Sequence, residues 1–123
     1  MKVKIDTKEK FHVITIDESV LAANMTEDME ELLLKYLETP VKNIVLNAQQ
    51  VEHIDNGAAE CLVKVQQSFY DNNCSFVVCD LKDEPERYLD EIGLLEIMNV
   101  TPTESEAWDI VQMEEIEREL LGE

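Results

Sequence analysis

The sequence predicts an α/β domain in which a mixed, mostly parallel β-sheet is flanked by about four helices. After an initial pair of strands, short apolar runs alternate with segments whose apolar residues repeat every three or four positions. Such runs are typical of strands covered on both faces. The 123 residues contain three glycines, no internal repeat and no low-complexity tract. The predicted element order is therefore ββαβαβαβα, in a single domain.

The amino-terminal residues predict a β-hairpin. Apolar and charged side chains alternate over residues 2–6, a polar turn follows at 7–10, and residues 11–16 form an apolar run. His12 lies inside this second strand, so we expect it to be a hydrogen-bonded structural histidine.

A first helix is expected to begin near Asn24. Asn24 and Glu27 have the spacing of a capping box, and Pro40 ends the helix because the residue before a proline avoids helical geometry. The apolar positions of this helix follow helical spacing and predict a buried face: Met25, Met29, Leu32, Leu33, Tyr36 and Leu37.

The centre of the chain changes from a strand pattern to a helical pattern across a short polar segment. Residues 43–48 predict a buried strand, and residues 58–69 carry apolar side chains at helical spacing. Between them lies Ile54–Gly57, which we call the hinge turn. Asp55 or Asn56 can accept a hydrogen bond from an unpaired first-turn amide, and Gly57 imposes no Cβ at the helix entry.

The remaining elements alternate in the same way. Residues 74–79 predict a second buried strand, and a short helix through Pro85 is expected to end at Gly93. Residues 95–100 predict a short last strand. Thr103 and Glu106 then form a capping box that opens the terminal helix.

The terminal helix carries apolar residues on two opposite sides. Ala107 and Val111 cluster on one side, whereas Met113, Ile116 and Leu120 cluster on the other. Either the helix bends near Gln112, or its second half offers an apolar stripe to a partner or to a second copy. We therefore divide the chain into a domain at 1–112 and an acidic helical extension of the same domain at 113–123.

Composition excludes several function classes. The formal charge of −18, from 28 acidic and 10 basic residues, argues against binding to nucleic acid or to anionic lipid. No apolar run approaches the roughly 18 residues that span a bilayer, so a cytoplasmic location is expected. The carboxylates of Asp55 and Glu60 bracket the hinge without a basic partner, so we expect no hydrolytic site and no enzyme.

The sequence also predicts no metal and no cofactor. The three cysteines are odd in number and lie in apolar segments, where a small buried side chain is expected: Cys61, Cys74 and Cys79. Zinc sites normally take four ligands at closer spacings, and His12 and His53 are remote in sequence.

Several motifs, each weak alone, occur in a characteristic order. They are Leu21-Ala22-Ala23-Asn24, Ile44-Val45-Leu46-Asn47, Ile54-Asp55-Asn56-Gly57, Val77-Val78-Cys79, Ile92-Gly93-Leu94 and the run from Thr101 to Ala107. With the predicted element order, this set resembles the STAS domain, specifically the bacterial anti-sigma factor antagonists. The resemblance extends over most of the predicted domain.

The resemblance implies a site at the hinge turn. In the family this turn usually reads Asp-Ser-Ser-Gly, and phosphorylation of the second serine releases an anti-sigma factor of the serine-kinase type. Asp55 is retained here, but no alignment restores a hydroxyl. Without a gap Gly57 stands at the phosphorylated position and Asn56 at the first serine, and with a one-residue deletion Asn56 replaces either.

A second departure from the family lies earlier in the chain. Ser19-Val20-Leu21 stands where the family commonly has Gly-Glu-Leu-Asp, so the acidic residue expected near the phosphosite is missing.

These observations predict a non-catalytic, protein-binding regulatory module without a phosphorylatable serine. The implied partner is an anti-sigma factor of the serine-kinase type. The predicted partner-binding residues are Asp55, Asn56, Gly57, Ala58, Glu60, Cys61 and Lys64. The alternative is a structural or self-assembly domain that forms a homodimer through Met113, Ile116 and Leu120.

Overall fold

A mixed sheet of five strands forms the centre of the structure, a computed structural model that describes residues 1–122. Its strand order is β1-β2-β4-β6-β7, with β1 antiparallel to β2 and the other neighbours parallel. A separate two-stranded parallel sheet pairs β3 with β5. The strands are β1 (Val3–Thr7), β2 (Phe11–Ile16), β3 (Val20–Leu21), β4 (Asn43–Asn47), β5 (His53–Ile54), β6 (Phe76–Cys79) and β7 (Val100–Thr101).

Four α-helices connect and follow these strands. They are α1 (Thr26–Leu34), α2 (Asn56–Asp71), α3 (Asp83–Glu91) and α4 (Glu104–Leu120). Short 3-10 turns at Ala23–Met25 and Lys35–Glu38 precede and follow α1. The element order predicted from the sequence is confirmed, with β3 and β5 added to it.

The sheet buries apolar side chains on both faces, as the predicted strand patterns required. On one face the larger core packs against α1, α2 and α3, with Met29, Leu33, Leu62, Val65, Phe69 and Leu89 in contact with the sheet. The other face packs only against α4. This smaller core contains Phe11, Val13, Val45, Val77, Cys79, Ala107 and Val111.

One predicted cap and one predicted element boundary are wrong. Helical structure begins near Asn24, as predicted, but Asn24 is exposed within a 3-10 turn and Met25 precedes α1 without a side-chain capping bond, so the Asn24–Glu27 capping box does not form. The last strand is only β7, because residues 94–98 form turns after α3 and bury Met98 in the larger core, so that contact with β6 begins at Asn99, whose carbonyl accepts from the Val78 amide at 2.8 Å.

Other local predictions are confirmed. His12 is a buried structural residue whose ring nitrogens lie 2.9 Å from Thr7 Oγ1 and 2.8 Å from the Val41 carbonyl oxygen. Gly93 adopts a φ of 77° just after α3, as a left-handed residue that ends a helix. Thr103 caps α4 by accepting a hydrogen bond from the Glu106 amide.

The amino ends of the parallel strands share one buried polar network centred on Asn43. Its side-chain oxygen accepts a hydrogen bond from the Ser75 amide at 2.7 Å, and its amide nitrogen donates to the Lys10 carbonyl at 2.9 Å and to Glu115 Oε1 at 2.7 Å. Arg118 of α4 donates to Ser75 Oγ at 2.7 Å and pairs with Glu115. One side chain thus joins the entries of β2, β4 and β6 to the second half of α4.

Replacing Asn43 by alanine should destabilise the domain by about 2–3 kcal/mol, because it leaves the buried Ser75 amide and Lys10 carbonyl without partners. Urea unfolding followed by the fluorescence of the single tryptophan, Trp108, measures the change. The exposed Asn24→Ala variant is the matched control and should stay within about 0.5 kcal/mol of the parent. Equal stability of the two variants would contradict the role of the network.

Candidate functional site

The hinge turn is held by the two oxygens of a single carboxylate. Asp55 Oδ1 accepts a hydrogen bond from the Ala58 amide at 2.9 Å and thereby caps α2. Asp55 Oδ2 accepts from the Ala23 amide at 2.8 Å, in the 3-10 turn before α1. These bonds from Ala58 and Ala23 hold the pKa of the Asp55 carboxyl below its usual value.

A small sheet aligns the same two segments along their backbones. Val20 and Leu21 of β3 pair with His53 and Ile54 of β5, and the Asp55 amide donates to the Leu21 carbonyl at 3.0 Å. The segment that precedes α1 therefore lies directly beside the hinge turn. The sequence did not predict this pairing, although the resemblance placed a departure from the family pattern at Ser19-Val20-Leu21.

Gly57 is in close contact with the 3-10 turn. A Cβ atom at this position would lie 2.5 Å from Ala23 Cβ, which is closer than real contacts allow, and 3.1 Å from Ala23 Cα, which is a tight contact. The backbone φ of Gly57 is not in the left-handed region, so the glycine is required by this close approach. In this conformation the turn has no room for a side chain at residue 57.

The predicted partner-binding residues separate into a surface group and a buried group. The surface group consists of Asp55, Asn56, Gly57, Glu60 and Lys64, of which only Gly57 is partly buried. Ala58 and Cys61 have exposed fractions of 0% and 5%, so they belong to the core and support the surface from below. Neither side chain is exposed to a partner in this conformation, in contrast to the five residues of the surface group.

The surface group carries two side-chain contacts. The Asn56 amide nitrogen donates to Glu60 one helical turn later, and Lys64 Nζ lies 3.4 Å from Glu30 Oε1 of α1. A shallow groove runs along α2 beside these residues, and its lining comprises Glu60, Val63, Lys64, Gln67, Ser68 and Leu94. The exposed face of α2 therefore offers mixed charge at its start and apolar area farther along.

The three cysteines are buried and have no exposed thiolate to offer. Burial raises the pKa of each thiol above its ordinary value, most strongly at Cys79. In the described part of the chain, no cysteine combines the exposure and the low pKa that nucleophilic catalysis requires.

One cluster at the carboxyl ends of β4 and β6 brings possible metal ligands together. Cys79 Sγ and carboxylate oxygens of Asp80 and Glu104 lie within 4.8 Å of one another. The Asn47 amide nitrogen donates one hydrogen bond to each carboxylate at 3.1 Å, so the two carboxylates are joined through Asn47. The cluster joins two strand ends to the start of α4, and we interpret it as structural.

The predicted self-association residues lie on the outer face of an uninterrupted α4. Met113, Ile116 and Leu120 have exposed fractions of 54%, 56% and 81%. The inner face changes from apolar contacts at Ala107 and Val111 to polar contacts at Glu114, Glu115 and Arg118. The helix therefore continues past Gln112 without burying the second apolar side.

Comparisons with known proteins define the family of this chain. The sequence model of the STAS domain matches residues 2–107. The chain belongs to the STAS domain family. A search of curated protein sequences gave no significant match. The family predicted from the motifs is thus confirmed.

Solved structures with low sequence identity share the fold. An anti-sigma factor antagonist from Mycobacterium paratuberculosis superposes with a TM-score of 0.77 at 14% identity, over 90% of this chain and 93% of that chain. A form of RsbS from Moorella thermoacetica gives a TM-score of 0.73 at 22% identity, over 91% and 96%. A sulfate transporter family protein from Wolinella succinogenes gives 0.73 at 15% identity, over 89% and 90%.

This STAS domain therefore resembles anti-sigma factor antagonists, and the same fold occurs in a transporter family protein. Within residues 1–122, none of the helices has the length and apolarity needed to cross a bilayer. Because one fold serves different functions, the function has to be inferred from the residues and geometry of the site.

Substitutions at Asp55 should separate the contribution of its hydrogen bond to Ala58, which caps α2, from that of its hydrogen bond to Ala23. Asp55→Ala should cost about 1–2 kcal/mol, because it removes the acceptor that caps α2. Asp55→Asn should cost less, because asparagine can cap the helix but has a single side-chain oxygen. Amide hydrogen exchange should show a faster Ala23 amide in Asp55→Asn and a still protected Ala58 amide. Unchanged exchange at Ala23 would contradict the second contact.

The contribution of Asp55 should depend on pH. Its pKa is lowered in the folded state, so the stabilisation is complete above the unfolded pKa of about 3.9 and is lost as pH falls through the folded pKa. The stability difference between the parent and Asp55→Asn should therefore be constant near neutral pH and shrink below about pH 4. Unfolding curves recorded over this pH range measure it.

Introducing a serine at residue 57 should destabilise the domain by about 1–3 kcal/mol, because its Cβ overlaps with Ala23. Adding Ala23→Gly should recover part of this loss, so a double-mutant cycle should give a favourable coupling. Asn56→Ser, at the exposed neighbouring position, is the control and should change stability by less than about 0.5 kcal/mol. A Gly57→Ser variant as stable as the parent would exclude the steric constraint.

Proposed function

We propose that this STAS domain is a non-catalytic regulatory module that binds a protein partner through the hinge turn and the exposed start of α2. The binding surface consists of Asp55, Asn56, Gly57, Glu60 and Lys64. The family resemblance favours an anti-sigma factor of the serine-kinase type as the partner. A cytoplasmic location and a lack of enzymatic activity are parts of the same proposal.

The single observation that carries the proposal is the closed packing of the hinge turn. Asp55 bonds to two segments at once, and Gly57 lies against Ala23 with no space for a side chain. A phosphorylated side chain adds a bulky group with a charge of about −1.5 to −2. This turn has neither the hydroxyl nor the space for it, so partner binding is independent of phosphorylation at the turn.

The chemistry of the surface supports binding over catalysis. Both Asp55 oxygens accept backbone hydrogen bonds, which lower the carboxyl pKa and make it a poor general base. The chain's charge of −18 argues against nucleic acid as the partner.

A binding experiment with an anti-sigma serine kinase encoded in the same genome tests the proposal. Lys64→Glu reverses an exposed charge on the surface and should weaken binding by about tenfold, as measured by calorimetry. Lys42→Glu is the control, because Lys42 is equally a surface lysine but lies at the opposite end of the sheet, before β4. Equal loss in both variants would reveal a general charge effect and contradict the site.

The same mixture tests the independence from phosphorylation. Residues 54–60 contain no serine, threonine or tyrosine, so after incubation with labelled ATP any phosphate must lie elsewhere in the chain, where mass spectrometry locates it. We expect binding to be unchanged by the incubation, and a label that appears together with a loss of binding would contradict independence from phosphorylation. Failure of the kinase to bind at all would exclude this class of partner.

Self-assembly into a homodimer through Met113, Ile116 and Leu120 is the second candidate function. The exposure of these three side chains favours it. The net charge of the chain argues against a homodimer, because two copies that each carry a formal charge of −18 repel each other.

A further inference from the structure

The outer face of α4 presents an apolar stripe that the fold leaves uncovered. Met113, Ile116 and Leu120 are spaced by three and four residues, so they lie on one side of the helix. Their exposed fractions of 54–81% place them among the most exposed large apolar side chains in the described part of the chain. This stripe lies on a different helix from the hinge turn and from α2.

The stripe is held in a fixed orientation from the opposite side of the helix. Glu114 Oε1 accepts a hydrogen bond from the Tyr70 hydroxyl at 2.8 Å. Glu115 bonds to the buried Asn43, and Arg118 donates to Ser75 Oγ at 2.7 Å. These contacts tie the second half of α4 to α2 and to two strand entries. The apolar side chains are therefore displayed by an anchored helix.

The border of the stripe is acidic. Glu106, Asp109, Glu117 and Glu119 are exposed on the same helix. Arg118 is the one basic residue of α4, and its side chain is only 17% exposed because it points inward to Ser75 and Glu115. The negative charge of this border is therefore not balanced by an exposed basic residue of α4.

The exposed apolar stripe and its acidic border together decide which kind of partner can bind α4. A second copy would bring a matching acidic border against this one, and like charges facing each other are destabilising. A partner with positive charges around its apolar residues would satisfy both the stripe and its border.

We propose that the outer face of α4, from Met113 to Leu120, binds a basic amphipathic helix of a protein partner. In that partner, apolar residues spaced by three and four positions lie against Met113, Ile116 and Leu120. Lysine or arginine residues on either side pair with the acidic border. This second docking surface is independent of the hinge turn, so the domain can contact two partners at once.

A synthetic peptide serves as the probe. It carries leucines at spacings of three and four, lysines on both flanks of this stripe, and a fluorescent label. Two control peptides have either glutamates in place of the lysines or the same composition in scrambled order. Fluorescence anisotropy with the full chain should show binding of the first peptide only, and binding should weaken with added salt. Backbone amide shifts should change along residues 109–120.

Variants of the chain test the position of the surface. Ile116→Ser combined with Leu120→Ser should weaken binding of the basic peptide by about tenfold or more. Ile97→Ser is the matched control, because Ile97 is 54% exposed in the turn before β7 and lies outside α4. It should leave binding unchanged. All three positions are exposed, so the fold should tolerate these substitutions.

Three results would overturn the proposal. Equal binding of the basic and scrambled peptides would mean that net charge alone attracts them. Unchanged affinity in the double variant would place the peptide elsewhere. A dimer in sedimentation equilibrium that the double variant abolishes would show that a second copy occupies the stripe.

Discussion

The arrangement of the hinge turn depends on one carboxylate that accepts two backbone hydrogen bonds. Asp55 satisfies an unpaired amide of α2 and another amide that lies 32 residues earlier in the chain. A serine or asparagine cap has one side-chain oxygen, whereas a carboxylate presents two in a fixed geometry. The contact joins segments that β3 and β5 align, and it brings Ala23 against Gly57. The candidate surface is therefore one unit assembled from two parts of the sequence.

Much of the fold could be predicted because its signals extend over many residues. The apolar spacing of α2 and the buried runs of β4 and β6 are regular enough to identify each element and its inner face. β3 and β5 were missed because a strand of two residues carries no period. The Asn24–Glu27 capping box was predicted but does not form, and a distant residue, Asp55, accepts the hydrogen bond of the Ala23 amide in this turn, a contact that local capping rules do not include.

The site was predicted less completely than the fold. The exposed residues of the turn follow from sequence, since a polar segment between a strand and a helix is the natural place for them. The burial of Ala58 and Cys61 agrees with the apolar spacing of α2 and with the buried role expected for the cysteines, so naming them as contact residues conflicted with that pattern. The polar contacts of α4 were missed for a different reason. Glu115 and Arg118 look like surface residues until the helix is placed over the entries of β4 and β6.

The contact between Gly57 and Ala23 also restricts how this site can change over time. A single substitution that adds a side chain at residue 57 meets Ala23 at 2.5 Å and costs stability before it can bring any benefit. The free energy of unfolding of most domains is only about 5–15 kcal/mol, so such a loss is a sizeable part of the total. A hydroxyl-bearing side chain at residue 57 therefore requires residue 23 to shrink or move first, whereas the exposed residue 56 can take one without this contact. Two neighbouring positions of the same turn thus differ in which substitutions they accept, because only one of them lies against Ala23.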